Sequence, residues 1–313
     1  MPFTFSHPAA VLPLLRRGRA RGPLVASALV AGSMAPDVPY FADSLIRGTF
    51  EYGMVTHSLW AIPTVDVAIA GALVAAWHGL LREPLTALLP DRWAAAVHTL
   101  TAPRRRGLRP ADAGWFVLSA AVGAATHVGW DAFTHHDRAG VRLLPVLNRT
   151  VSGEPLFHLL QYGSSAVALV WLAVYAVRTT RRAAASEAAS AEAETEAETE
   201  TEAGPGAGPD PKPEPAPAAV PGTGGVAVAA RPAVLQRRRP RLSGRARAGV
   251  AAFVTAAGVA GAVHRVARWT SLHGTTDSVA DLVPTACFGA GTGLAAGLLL
   301  YAAAARIRSA RQD

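Results

Sequence analysis

The stretch GAATHVGWDAFTHH, residues 123–136, determines how the rest of the chain is interpreted. It places His127, Asp131 and His135 four residues apart, so on a helix all three side chains share one face. The stretch ends an apolar run that begins near Gly114, where ionisable side chains are costly unless they face a polar interior or bind something. An imidazole and a carboxylate one helical turn apart are a natural pair of metal ligands. The structural alternative is that they hydrogen-bond each other or cap a neighbouring helix.

The composition predicts an all-α, polytopic integral membrane protein. Half of the 313 residues are hydrophobic and the mean hydropathy is positive. The apolar residues concentrate in runs of about twenty, the length of a membrane-spanning helix. We predict six spanning helices, at residues 22–41, 59–81, 114–133, 163–177, 250–265 and 280–305. A shorter apolar segment, 1–15, predicts a half-helix or an interfacial segment.

A long polar segment separates two groups of apolar runs. Residues 183–248 begin as acidic low-complexity sequence that could be transiently helical, and continue as a Pro/Gly-rich spacer with a basic flank. This composition is typical of a disordered linker. We therefore predict a membrane-embedded domain at 1–182 and a two-helix transmembrane hairpin at 249–313.

The hairpin carries a row of small residues. Gly289, Gly293 and Gly297 recur every four residues on its last helix. Such a face predicts close helix packing, either between copies of the chain or within one copy.

The arginines indicate the orientation in the membrane. The formal charge is +8, and Lys212 is the only lysine. The basic clusters lie at 16–21, 104–109, 178–182, 237–247 and 306–311. Six spans place every cluster on one side, which the positive-inside rule makes cytoplasmic, with both termini inside. The residues expected toward the extracytoplasmic face are Asp37, His57, His127, Asp131 and His135.

Several function classes lack their sequence signals. Cys287 is the single cysteine, which excludes an internal disulfide and a cysteine-based zinc site. The chain contains no Gly-rich phosphate loop, no G-x-S-x-G elbow and no H-E-x-x-H motif. A pI near 10.6 could indicate nucleic-acid binding, but the basic clusters flank apolar runs and lack interleaved aromatic residues. We therefore expect membrane lipid, and no nucleic acid, as a partner.

Short motifs in a fixed order carry a family resemblance. They are Ser6-His7-Pro8, Ala35-Pro36-Asp37, Thr56-His57-Ser58, Thr126-His127 with Asp131, and Thr134-His135 with Gly140. With the opening MPFTFSHPAAVLP, they resemble the bacterial domain of unknown function DUF4184 over roughly residues 1–180. That domain is similar to the YdjM group of membrane-bound, metal-dependent hydrolase-like proteins. Where the YdjM group tends to read Pro-Asp-x-Asp, this chain has Asp37-Val38-Pro39, without the second carboxylate of a multi-metal site.

The resemblance implies a metal site more strongly than it implies a reaction, and it places the chain in the bacterial cytoplasmic membrane. The candidate ligands carried over are His7, Asp37, His57, His127 and Asp131, with His135 and His136 as additional candidates. This set suffices for one divalent metal, for which zinc is the first candidate. Three side chains would hold it, and one coordination position would stay open. The remaining groups would act as a general base or would orient a ligand.

Two functions fit these patterns. The first is a membrane-bound metal-dependent hydrolase acting on a phosphoester or lipid-like substrate near the extracytoplasmic face. The second is a non-catalytic multi-pass membrane protein whose His/Asp cluster is structural or conducts ions or protons. Catalysis requires the His and Asp side chains to converge on one point. Conduction predicts instead a polar path through the bilayer that includes Asp66.

Overall fold

The computed structural model describes residues 3–103, 109–202, 242–274 and 279–311, and it is mostly helical. The elements before residue 104 begin with a 3-10 helix at Thr4–Leu14, strands β1 (Leu15–Arg16) and β2 (Arg19–Ala20), and helix α1 (Ala26–Gly32). A 3-10 turn at Ala35–Asp37 leads into helix α2 (Val38–Ala42), and a 3-10 turn at Thr49–Glu51 leads into helix α3 (Tyr52–Thr56). Helix α4 (Val65–Ala76), a π-helical turn at Trp77–Leu81, and helices α5 (Arg82–Thr86) and α6 (Asp91–Leu100) follow. Strands β1 and β2 form an antiparallel hairpin.

The second half of the chain contains the long helices. Its elements are α7 (Pro110–Thr134), α8 (Ala139–Leu143), a 3-10 turn at Pro145–Asn148, the antiparallel pair β3 (Thr150–Val151) and β4 (Glu154–Pro155), α9 (Leu156–Glu202), α10 (Gly244–His273) and α11 (Val279–Ala310). By its internal contacts the chain forms two units, residues 1–184 with 242–313, and residues 185–241. In the second unit the described residues, 185–202, continue α9.

In the part of the chain that the structure describes, four helices are long and apolar enough to cross a membrane, which indicates a membrane protein. They are Val65–Thr86, Leu156–Ala193, Gly244–Leu272 and Leu282–Ala310. The predicted span 250–265 lies within the third, and the predicted span 280–305 overlaps the fourth from residue 282 onward. The predicted spans 59–81 and 163–177 overlap the first two, although each helix has other bounds than predicted.

The count of six spans is not confirmed. The predicted first span, 22–41, is interrupted: α1 has seven residues, about 10 Å of helix, and the segment that follows contains Pro36 and Pro39. Proline supplies no backbone N–H and clashes with the preceding turn, so one continuous helix does not form there. The predicted third span, 114–133, lies in α7, which is 25 residues long but is not among the four apolar helices. Polar residues such as Ser119, His127 and Asp131 lower its hydropathy.

The structure differs from the predicted linker, 183–248, at both of its ends. Helix α9 continues to Glu202, because the acidic segment after residue 183 consists largely of Ala and Glu, which are strong helix formers. Helix α10 begins at Gly244, inside the predicted basic flank. The rest of the linker prediction, 203–241, lies outside the described residues. The predicted N-terminal half-helix is the 3-10 helix Thr4–Leu14, which contains Pro8 and Pro13 and buries most of its side chains.

The core of the first unit is built on the close approach of α1 and α7. A Cβ added at Gly32 would overlap the backbone of Ala120, and one added at Gly123 would overlap the carbonyl of Leu29. Small side chains fill the space around this crossing, including Ala28, Ala31, Ala35, Ala70 and Ala120, all buried. The crossing matters for the site because it brings the end of α1 against the part of α7 that carries His127 and Asp131.

Three glycines of α11, Gly289, Gly293 and Gly297, face α10 within the same chain. A Cβ at Gly289 would overlap the backbone of Gly261, and one at Gly293 would overlap that of Ala257. Gly297 also lies against Ala257. Packing within one copy therefore accounts for all three glycines, and self-association through them stays a prediction.

Candidate metal centre

Four of the predicted ligands converge at one point of the fold. The ligand atoms of Asp37, His57, His127 and Asp131 all lie within 4.8 Å of one another. Asp37 ends the 3-10 turn after α1, His57 directly follows α3, and the other two lie one turn apart on α7. All four residues are buried, and Asp37 and His127 have no exposed surface. Three separate segments thus deliver the set that the motif order predicted.

The distances between these atoms match a single coordination sphere. Nε2 of His127 lies 3.3 Å from Oδ1 of Asp37 and 3.5 Å from Oδ2 of Asp131. Nε2 of His57 lies 3.5 Å and 3.4 Å from the same two oxygens. A tetrahedral zinc ion with bonds of about 2.0–2.1 Å separates its ligand atoms by about 3.3–3.4 Å. The four His–Asp separations therefore fit one ion of that size.

Backbone carbonyls fix both imidazoles in one tautomer. Nδ1–H of His127 donates to the carbonyl of Ser33 at 2.7 Å, and Nδ1–H of His57 donates to the carbonyl of Gly53 at 2.8 Å. In a neutral imidazole the proton then sits on Nδ1, so the lone pair of Nε2 points at the carboxylates. Metal-binding histidines are held in this way in most proteins.

The carboxylate of Asp37 is anchored on its other oxygen. The hydroxyl of Thr4 donates to Oδ2 of Asp37, which leaves Oδ1 directed at the two imidazoles. Thr4 and Asp37 are both buried, so this hydrogen bond is protected from water. The N-terminal 3-10 helix thus supports the ligand set in addition to supplying His7.

Three acceptor atoms of the centre have no hydrogen-bond donor among the described residues. Oδ1 of Asp37, Oδ1 of Asp131 and Nε2 of His127 are buried and make no hydrogen bond with the described residues. Leaving a buried polar atom without a partner costs roughly 1–3 kcal/mol, and more when the atom carries charge. Two carboxylates and two imidazole lone pairs that face one another require positive charge between them. The donor set of two nitrogens and two oxygens fits a divalent transition metal such as zinc.

His7 lies beside the four-residue set. Its Nε2 is 3.6 Å from Oδ1 of Asp131, and its ring stacks on that of His127 with 3.7 Å between centroids. Burial, together with the neighbouring charge on His127, lowers the pKa of His7 to about 3, against the opposing effect of the two carboxylates. His7 is therefore neutral near pH 7, the form in which an imidazole can act as a metal ligand, and it is only a weak proton acceptor.

His135 forms the rim of the centre. Its Nδ1 lies 3.7 Å from Oδ2 of Asp131, and its Nε2 lies 3.1 Å from the side-chain amide of Gln161. Burial lowers the pKa of His135 to about 4. Its side chain is 25% exposed, whereas those of the four central residues are at most 6% exposed. The centre therefore reaches the surface on the side of Asp131 and His135.

His136 lies outside the centre. Its side chain is exposed and its ring lies 6.0 Å from that of Phe157. Of the two additional ligand candidates, the structure brings His135 to the centre and leaves His136 away from it, because α7 ends at Thr134 and the extended backbone at His135 turns the next residue outward.

The charge state of the centre depends on what occupies it. Burial lowers the pKa of His57, but the nearby carboxylates of Asp131 and Asp37 outweigh burial and raise that pKa above its ordinary value. Two protons shared by the imidazoles and carboxylates would thus also balance the charge. The same four side chains can therefore hold either a divalent metal or two protons.

Comparison with known families places this centre in context. The family described as "Domain of unknown function (DUF4184)" matches residues 1–205. The chain belongs to this family. Neither the curated proteins nor the solved structures give a match to it. The family resemblance predicted from the motifs is confirmed, and the relation of DUF4184 to the YdjM group stays a prediction.

The DUF4184 match contains all five predicted ligands and ends beyond Glu202, the last residue of α9. The hairpin of α10 and α11 lies after it, yet it contacts the segment next to Asp37. Arg265 donates to the carbonyl of Tyr40 at 2.8 Å, and Arg268 donates to the carbonyl of Asp43 at 2.6 Å. In this DUF4184 protein the hairpin therefore braces the short helix that follows Asp37.

Sequence reasoning missed the residues that orient the ligands. Thr4 lies three positions before His7 in the opening motif, and this spacing on a tight helix is the signal that could have found it. The carbonyls of Ser33 and Gly53 leave no sequence signal, because every residue carries a carbonyl. Gln161 lies on α9, in a segment without any recognised motif.

Proposed function

We propose that this protein is a membrane-bound metal-dependent hydrolase with one divalent metal at the centre. Zinc is the first candidate for this metal. The observation that carries the proposal is the ring of four His–Asp separations of 3.3–3.5 Å between buried acceptor atoms. Such an arrangement is unfavourable without a cation, and its spacing suits zinc. The DUF4184 family by itself assigns no reaction.

The chain offers the parts that metal-assisted hydrolysis requires. Three of the four side chains Asp37, His57, His127 and Asp131 would hold the ion, and the fourth position would take a water whose pKa a divalent metal lowers to near 7, so that the centre supplies hydroxide. The fourth side chain would accept the proton of that water, and His7, in contact with Asp131, would orient that carboxylate. Gln161 and His135 line the exposed side, where a substrate would enter.

The expected substrate is a phosphoester or another lipid-like ester. The chain has four candidate spanning helices among its described residues, and the positive-inside rule applied to the arginine clusters predicts that the site lies toward the extracytoplasmic face. A phosphoester oxygen is a suitable partner for a metal centre with imidazole and carboxylate ligands.

A structural role is the second candidate, and the burial of the site favours it. Asp37 and His127 have no exposed surface, and a doubly protonated cluster would link the N-terminal 3-10 helix, the α3 segment and α7 without a metal. Asp66, whose oxygens make no hydrogen bond with described residues, would be the next group on a proton path. Metal content distinguishes the two functions.

The test is elemental analysis of the protein purified in detergent. The wild type is compared with His127→Ala and Asp131→Ala, and with His136→Ala as a matched control that lies outside the centre. We expect near one equivalent of metal in the wild type and in His136→Ala, and its loss from the other two. A monodisperse wild type that binds no metal even after zinc is added would overturn the hydrolase proposal. Screening phosphoester and lipid substrates follows a positive result.

A further inference from the structure

The short helix that positions His57 has an apolar outer face. In α3, Gly53 and Thr56 are buried, and Gly53 supplies the carbonyl that orients His57. The alternate residues Tyr52 and Met54 are 62% and 78% exposed. A helix with its polar contacts inside and large apolar side chains outside is unfavourable in water. Its outer face therefore requires an apolar environment.

The same property extends over two connecting segments. We call these exposed side chains the apolar collar: Ile46, Met54, Leu59, Trp60, Leu143 and Val146. Their exposed fractions run from 47% for Val146 to 81% for Leu59. Exposed apolar patches of this kind mark binding surfaces for proteins or membranes.

Both segments of the collar lie at one end of the candidate spans. The first precedes the span that begins at Val65, and the second precedes the span that begins at Leu156. The C-terminal end of α10 is at the same end, because Arg268 binds Asp43 at the start of the first segment. The collar thus lies on the two connections, 5 to 19 residues before the points where two helices enter the bilayer. That level is the boundary between acyl chains and head groups.

Arginines alternate with the apolar residues of the collar. Arg47 follows Ile46 directly, and Arg142 precedes Leu143. Arg47 is exposed, and the Arg142 side chain is 67% exposed. Exposed arginines beside Trp and Leu are typical of segments that lie in the membrane interface, where the phosphates of lipids are the complementary anions. A protein partner would not require arginines at this regular level next to the spans.

We propose that the apolar collar inserts into the lipid leaflet on the side of the site, with Arg47 and Arg142 at the level of the lipid phosphates. The exposed side of the centre, at Asp131 and His135, then opens among lipid head groups and not into bulk water. The insertion does not depend on whether the centre holds a metal, so it stands or fails independently of the proposed hydrolase activity.

The test uses an environment-sensitive fluorophore at single cysteines in full-length protein. Cys287→Ser provides the background, and Met54→Cys and Leu143→Cys carry the fluorophore NBD on the two collar segments. Asp137→Cys is the matched control, because its side chain is 69% exposed on the same connection as Leu143. The protein is placed in nanodiscs of phosphatidylcholine and phosphatidylglycerol, with or without lipids that carry a doxyl quencher.

We expect blue-shifted emission and at least twofold quenching by doxyl lipid at both collar positions, and redder, less quenched emission at Asp137→Cys, because the Asp137 carboxylate lies 3.9 Å from Nε of Arg142 and so belongs at the phosphate level. Water-like emission at Met54→Cys and Leu143→Cys would overturn the proposal. Blue-shifted emission without doxyl quenching would also overturn it, because a protein surface would then cover the collar. If a labelled variant is not monodisperse, unlabelled protein gives the same readout at Trp60. The loss of tryptophan fluorescence caused by brominated lipid is measured in the wild type and in Trp60→Phe, and the difference between the two is the quenching of Trp60.

Discussion

Thr4 holds Asp37 in the geometry that the centre needs. Its hydroxyl donates to one carboxylate oxygen, and this leaves the other oxygen to face the imidazoles of His57 and His127. Without the hydroxyl, the buried carboxylate would lose a donor and could rotate. We therefore predict that Thr4→Val lowers metal affinity about 10- to 100-fold, as removal of a supporting hydrogen bond does in other metal sites. Competition with a chromophoric zinc chelator measures the change.

Thr64→Val is the matched control for this variant. The Thr64 hydroxyl donates to the carbonyl of Trp60 within its own turn and touches no ligand of the centre. Thr64→Val should bind metal with the same affinity as the wild type. Equal affinity in Thr4→Val and the wild type would show that Asp37 is oriented by other contacts.

The residues of the His/Asp cluster could be predicted from the sequence, but the groups that orient them could not. The order of His7, Asp37, His57, His127 and Asp131 along the chain was enough to name the five residues that the structure brings together. Ionisable residues in apolar surroundings are rare and therefore conspicuous. The supporting groups are backbone carbonyls and a threonine, which are common everywhere, so that only three-dimensional contact distinguishes them.

At the scale of elements, the spacing of α1 and α7 sets the position of His127. Gly123 faces α1 so closely that a Cβ would overlap the carbonyl of Leu29, and Ser33 near the end of α1 holds the His127 ring. Gly123→Ala should push the helices apart, destabilise the protein by about 1–3 kcal/mol and weaken metal binding. Thermal unfolding in detergent and metal content are the two measurements.

Gly129→Ala is the control on the same helix. A Cβ at Gly129 meets nothing within 4 Å, so alanine should leave metal content unchanged and stabilise the helix by up to about 1 kcal/mol. Equal melting temperatures for Gly123→Ala and Gly129→Ala would contradict the tight crossing.

The brace from α10 to the α2 segment leads to a second prediction at this scale. Arg265 donates to the carbonyl of Tyr40 and to the hydroxyl of Ser44 at 2.7 Å, and its side chain is 7% exposed. A hydrogen bond from a charged donor contributes roughly 1.5–3 kcal/mol. We expect Arg265→Gln to lower the melting temperature by roughly 5–10 °C.

Arg308→Gln tests whether any arginine of the hairpin has this effect. Arg308 is exposed in the last turn of α11, and its side chain makes no hydrogen bond or ion pair with the described residues. Its melting temperature should stay within about 2 °C of the wild type. A fall as large as that of Arg265→Gln would indicate a general effect of charge and not a brace.

Helix bounds were harder to predict than helix existence. Hydropathy located α10 and α11, because their apolar runs are uninterrupted. It failed at 22–41, where Pro36 and Pro39 break the helix, and at the acidic end of α9, where helix propensity continues the helix beyond the apolar run. The long-range contacts of Arg265 lie more than two hundred residues apart in sequence and have no local pattern.

At the scale of the whole molecule, the centre and the arginine clusters lie at different ends of the helices. Helix α7 begins next to the cluster at 104–109 and ends beside His135, and α11 ends in the cluster at 306–311. If the positive-inside rule holds, the site faces outward and the C-terminus faces the cytoplasm. The clusters at 104–109 and 306–311 carry this prediction for α7 and α11.

Cysteine accessibility measures the orientation. In the Cys287→Ser background, Asp137→Cys lies on the connection after α7 and Ser309→Cys lies in the last turn of α11, and both positions are exposed. A membrane-impermeant maleimide applied to spheroplasts should label Asp137→Cys, whereas Ser309→Cys should react only after lysis. The reverse pattern would place the centre on the cytoplasmic side, where a hydrolase would meet cytoplasmic esters instead of lipids of the outer leaflet. Labelling of both before lysis would show that α11 does not end at the inner surface.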